Sequence, residues 1–136
     1  MKKVYSAIGV RLGTFIGGPL AGGYLLSQNF KAIGRADLAR RTQVLGMLIT
    51  VAFLSALAAA PEGATDKIPG VIFPLLFMFL ANRLFDRYQK EAVDQLLQAE
   101  EGTQLSNWRV VGISLLLVTI TLLLLLFLIL LLNPTL

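Results

Sequence analysis

From Val110 to Leu132 the chain carries no charged residue and only the hydroxyls of Ser114, Thr119 and Thr121 among its polar side chains. A helix rises about 1.5 Å per residue, and a bilayer's hydrocarbon core is about 30 Å thick, so about 20 apolar residues are needed to cross it. This run meets that length unaided. Its low-complexity part, Leu122 to Leu132, suits a lipid-facing anchor. Lipid offers the backbone no water to bond with, so the run should be helical. The alternating polar and apolar strands of a membrane barrel are absent from the sequence.

Three more apolar segments precede it. Residues 5–28 are interrupted only by Arg11, residues 43–60 end at Pro61, and residues 68–85 contain Pro69 and Pro74. The chain is 56% hydrophobic and 15% charged, against about 25% charged in ordinary soluble domains. A soluble core of this size cannot hide so much apolar side chain. The expected fold is all-α: a single-domain integral membrane bundle over 1–136, with four transmembrane helices at about 5–28, 43–60, 68–85 and 110–132. The alternative is three such helices plus an N-terminal re-entrant hairpin. Lys2 and Lys3 are followed by no convincing small-residue cleavage site, so the N-terminus is expected to be mature.

The chain has no cysteine and no histidine. That removes thiolate nucleophiles, disulfides, Ser–His triads and imidazole metal sites. No cofactor, metal or catalytic residue is expected. Glu100 and Glu101 are neighbours and would diverge on a helix. Glu62 and Asp66 beside Lys67 read as a solvated turn. Gly17-Gly18 and Gly22-Gly23 lack the ending of a phosphate-binding loop. No carboxylate lies within any span, which disfavours coupled transport. The net charge of +4 comes from Lys and Arg beside apolar segments. It points to anionic lipid headgroups rather than nucleic acid.

The connections carry the orientation. Residues 29–42 hold Lys31, Arg35, Arg40 and Arg41. Residues 86–108 form a polar connection whose part 86–101 reads as a helix continuing from the third span. There Asp86–Lys90, Arg87–Glu91 and Lys90–Asp94 stand four apart. Tyr88, Ala92, Leu96 and Ala99 make a narrow apolar stripe, widened by Val93 and Leu97, and Gly102 is the expected stop. The stripe packs on the bundle or docks a membrane or cytoplasmic protein partner. With four spans, eight Lys and Arg near span ends fall on the cytoplasmic side and three outside, with both termini, including Leu136, outside. With a hairpin turning at Gly17-Gly18-Pro19, arms Val4–Ile16 and Leu20–Phe30, the division becomes eleven to one. Four spans are preferred on the cost of turn backbone at membrane depth.

Gly9, Gly13 and Gly17 recur every four residues, and Gly18 and Gly22 repeat the spacing. Such rows let helix backbones approach closely in lipid. Ala52, Ala56 and Ala60 form a matching row on the second segment. These are candidate helix-packing residues, within one chain or between copies of a homo-oligomer. Arg11 is a candidate pore or anion contact, although its headgroup end is within snorkelling reach. Arg40, Arg41, Arg83, Trp108 and Arg109 are candidate interfacial anchors, with Ser106 or Asn107 as N-cap of the last helix.

The stretch TFIGGPLAGGYLLSQNFKAIGR (14–35), the proline-bounded turn and GTQLSNWRVVGISL (102–115) resemble a family of uncharacterised small bacterial multi-pass inner-membrane proteins. The resemblance covers most of the chain. It implies an all-helical fold and an inner-membrane location, and brings no activity or cofactor. The expected function is a non-catalytic structural or accessory membrane protein acting through helix packing. The alternative is a homo-oligomeric channel or passive carrier for a small solute or anion.

Overall fold

The computed structural model describes residues 2–64 and 66–134. The expected external position of Leu136 lies outside the described residues. The fold is all-α: five helices hold 77% of the described residues. They are α1 (Ala7–Ala32), α2 (Ala36–Ala59), α3 (Ile72–Tyr88), α4 (Lys90–Gln98) and α5 (Asn107–Leu132). Two short strands, β1 (Lys2–Val4) and β2 (Gly102–Gln104), pair in parallel with Lys2 opposite Gly102.

The first apolar segment is not one straight helix. Gly18 has φ 72° and ψ −162°, a region essentially reserved for glycine. Pro19 follows, with its fixed φ suited to a new helix start. The chain therefore reverses, and α1 is two antiparallel arms. Tyr5 N donates to Asn29 Oδ1 at 2.7 Å, and Asn29 Nδ2 donates back to Tyr5 O at 2.9 Å. A continuous helix would hold those residues about 36 Å apart. Residues 5–28 thus return to the end where they began, which corrects the preference for a single crossing there. The turn falls at the expected Gly17-Gly18-Pro19.

Ser6 caps the first arm, accepting from Gly9 N at 3.0 Å. The second arm ends in a glycine motif: Gly34 has φ 80°, and Arg35 N donates to Phe30 O at 2.8 Å. Only residues 33–35 separate α1 from α2, so the expected basic connection 29–42 is mostly helix. α2 starts seven residues before the apolar segment because Ala36, Leu38, Ala39, Arg40 and Arg41 are good helix formers and Asp37 suits the first turn. α3 begins only at Ile72, after Pro69 and Gly70, and runs to Tyr88.

The expected helix 86–101 is broken and shortened. Gln89, at φ −121°, separates α3 from α4. α4 ends at Gln98, with Glu100 at φ 58° and Glu101 N donating to Leu96 O at 3.0 Å. Glu100 thus takes the left-handed position that was expected near Gly102. Gly102 instead lies in β2, where an added Cβ would sit 3.1 Å from Leu96 Cβ. None of the three expected ion pairs of this region closes within 4 Å; among the described residues the ion pair is Arg35–Asp37, at 3.9 Å.

Candidate functional site

The hairpin stands at the centre, with α2, α3 and α5 each packed against it. Its first arm lies on α5. An added Cβ on Gly9 would come within 3.4 Å of Val110 Cγ2, and one on Gly17 within 3.2 Å of Ser114 O. Gly13 faces both Ser114 and Leu25 of the second arm, and Gly22 faces Thr14 across the hairpin. Gly18 has open space around it and serves the turn alone. The glycine rows are thus intramolecular contacts, four of them close approaches between helices.

The row Ala52, Ala56 and Ala60 does not meet the first segment: Ala52 and Ala56 are exposed. The crossing with α2 is made six residues before Ala52, at Gly46. An added Cβ there would lie 2.9 Å from Pro19 O and 3.1 Å from Gly23 Cα. Gly23 and Gly46 were missed because neither belongs to a regular small-residue row; Gly46 alone interrupts Val44–Ile49.

At the open end of the hairpin, buried polar groups join the elements. Asn29 and Gln89 are fully buried. Gln89 Nε2 donates to Leu26 O at 2.7 Å, so the α3–α4 break is fastened to the second arm. Gln89 Oε1 and Ser114 Oγ find no partner among the described residues. Tyr5 is also buried, and burial raises its hydroxyl pKa, opposed by the Arg109 guanidinium it faces. Val4, Val10, Leu26, Phe85, Val93 and Val110 complete this core. Val93 brings the apolar stripe of α4 onto the bundle. Asn29 was missed as the start of a loop; the signal was an amide flanked by the apolar runs of a glycine-turned hairpin.

Beyond this core the surface is apolar. Leu48, Phe79, Leu116, Leu123, Phe127 and Leu131 are all more than half exposed. Two helices, α2 and α5, are long and apolar enough to cross a membrane. Little of either is covered by the rest of the fold: 17% of the apolar window of α2 is buried and none of that of α5.

Arg11 is exposed on the first arm, and its Nε donates to Ala7 O at 3.4 Å. The side chain bends back toward the arm's start. Arg40, Arg41, Arg83 and Arg109 are exposed, and Trp108 is 83% exposed at the start of α5, where Ser106 Oγ accepts from Trp108 N. Arg83 sits 5.9 Å from the Phe79 ring centroid. Among the described residues no three carboxylates gather to hold a metal ion. Compared with protein-family models, curated proteins and solved structures, the chain matches none.

The geometry at Arg11 makes a specific expectation. Arg11→Lys should leave thermal stability in detergent unchanged, because either cation reaches the headgroups. Arg11→Leu should be neutral or slightly stabilising. Liposomes containing either variant should show the same anion permeability as those with the wild type. A drop in anion flux in Arg11→Lys at unchanged stability would place the guanidinium in a pore.

Proposed function

We propose that the chain is a multi-pass protein of the bacterial inner membrane with a non-catalytic structural or accessory role, acting through helix packing and its polar end. α2, α3 and α5 cross the bilayer, and the α1 hairpin enters and leaves on the cytoplasmic side. The observation that carries this reading is the Tyr5–Asn29 pairing. It returns the chain to its starting end, so every Lys and Arg except Lys67 falls on one side. That is the distribution the positive-inside rule favours. The turn backbone, costly in lipid, is half-buried inside the bundle, with Gly17 against Ser114 of α5 and Pro19 O against Gly46 of α2, so protein shields part of it, as irregular backbone at membrane depth requires. The first arm, Ala7 to Gly17, is about 16 Å long, so the hairpin reaches roughly the bilayer midplane. Partners at the polar end are anionic headgroups and a protein bound to α4, whose outer face offers Glu91, Asp94 and Gln95.

The test uses the natural lack of cysteine. Single variants Lys3→Cys, Arg35→Cys, Glu62→Cys and Gln98→Cys are treated with a membrane-impermeant maleimide. Only Glu62→Cys should react in right-side-out vesicles, and the other three in inside-out vesicles. Reaction of Lys3→Cys from outside would restore a four-span threading. Extraction of the protein by alkaline carbonate would overturn the membrane reading altogether. Steady ion flux through reconstituted wild-type protein would favour the channel over the accessory role.

A further inference from the structure

The hairpin fills the space between α2, α3 and α5 in only one half of the bundle. Past its tip those helices continue, and a cavity of about 150 Å³ opens between them. Gly18 and Pro19 form its floor, and Thr50, Phe53, Phe73 and Thr121 stand in its walls. Phe53 packs on Phe73 and Phe77, each ring pair with centroids 5.1 Å apart, which closes the wall between α2 and α3.

We infer that this cavity is an acyl-chain site, taking one hydrocarbon tail of a phospholipid from the leaflet opposite the charged end. The inference rests on the membrane threading above. The first ground is the polar inventory. The Thr50 hydroxyl donates to Gly46 O at 2.7 Å and the Thr121 hydroxyl to Leu117 O at 3.0 Å. Both are used within their own helices, and no charged side chain lines the cavity. Water needs two to four polar partners to remain in such a space, and apart from backbone at the turn the lining offers only these two engaged hydroxyls. The second ground is the cost of leaving it empty, since its lining would lose dispersion contacts outright. None of the described elements of the chain enters it. The third ground is the medium around it. Val51, Ile72 and Leu122, each next in sequence to a residue that lines the cavity, are exposed and apolar, so in a bilayer hydrocarbon lies beside the cavity. A flexible tail is the apolar ligand present there at the highest concentration.

The experiment compares the full-length protein with two cavity-filling variants, Thr121→Leu and Thr121→Phe, in mild detergent. Native mass spectrometry reads retained phospholipid. Thermal stability is read with added diacyl phosphatidylglycerol or with its deacylated headgroup, glycerophosphoglycerol. The wild type should retain one phospholipid and be stabilised by the diacyl lipid but not by the headgroup alone. Thr121→Leu should weaken retention about threefold and Thr121→Phe about tenfold, both with stability in lipid-free detergent equal to or above the wild type. Equal stabilisation by the bare headgroup would overturn the site in favour of the basic end. Unaltered lipid retention in both variants would overturn it as well. A doubled mass in the lipid-free protein that the variants abolish would mean that a second copy fills the space. Correct cysteine labelling with no chain-dependent effect sinks this site alone, whereas failed labelling sinks the threading beneath it.

Discussion

Gly17→Leu is expected to collapse the contact between the hairpin and α5, lowering stability in detergent by about 3 kcal/mol, the upper part of the range for overpacking. The first added carbon already collides with Ala21 Cβ across the turn and comes within 3.2 Å of Ser114 O. Neither obstacle is the loose end of a flexible side chain, so the helices must separate. Separation costs dispersion contacts that lipid does not replace well. Gly13→Leu should behave similarly. Its neighbours there are Leu25 Cδ1, which can rotate, and Ser114 Oγ and Val110 Cγ1, both at 3.0 Å. Its loss should therefore be the smaller of the two. Gly112 is the control: it lies in α5 with nothing within 4 Å of an added Cβ. Gly112→Ala should stabilise by about 0.5–1 kcal/mol through helix propensity alone. Thermal unfolding of the three variants in one detergent decides the matter. A Gly17→Leu midpoint equal to that of Gly112→Ala would mean the close approach contributes nothing.

The same glycines mark where the sequence was readable and where it was not. A four-residue spacing announces close helix approach, but not which surfaces approach. Gly9 meets Val110 of α5, and Gly13 and Gly17 meet its Ser114, whereas Ala52 and Ala56 of the α2 row look outward. Local rules decided the apolar segments, the Ser106 cap and the position of the turn, because each depends on neighbouring residues alone. The choice between crossing and reversing did not. The cost of turn backbone in lipid argued for crossing, and that cost shrinks once α2 and α5 shield part of the turn. Burial of Gly17 by α5 is a tertiary fact with no local signature. The parallel pairing of Lys2–Val4 with Gly102–Gln104 joins residues a hundred positions apart, and strands so short carry no pattern of their own. Glu100 in a left-handed conformation runs against residue preference. The contact of Gly102 with Leu96 explains why the glycine was needed two residues later.

Asn29 is where a single polar side chain decides whether the hairpin arms stay closed at their open end. Its amide accepts from Tyr5 N and donates to Tyr5 O, and both residues are buried. Asn29→Ala leaves two backbone groups of Tyr5 unpaired out of reach of water. Each orphan costs about 1–3 kcal/mol, so a loss of about 3 kcal/mol is expected. Asn29→Asp is expected to be worse. One carboxylate oxygen still accepts from Tyr5 N, but the other faces the Tyr5 carbonyl, acceptor against acceptor, and an unpaired charge is buried besides. Asn29→Gln keeps the chemistry at the wrong reach and should fall between wild type and alanine. The turn at Gly18 does not depend on this pair, so the arms should part at their open end while α2 and α5 stay helical. Spin labels on Ile8→Cys and Lys31→Cys report that parting directly. The wild-type background should give one short, narrow distance distribution, and Asn29→Asp a longer and broader one at unchanged helix content. A narrow distribution in Asn29→Asp would mean that β1, paired to β2 and followed by the Ser6 cap, holds the first arm in place without help from Asn29.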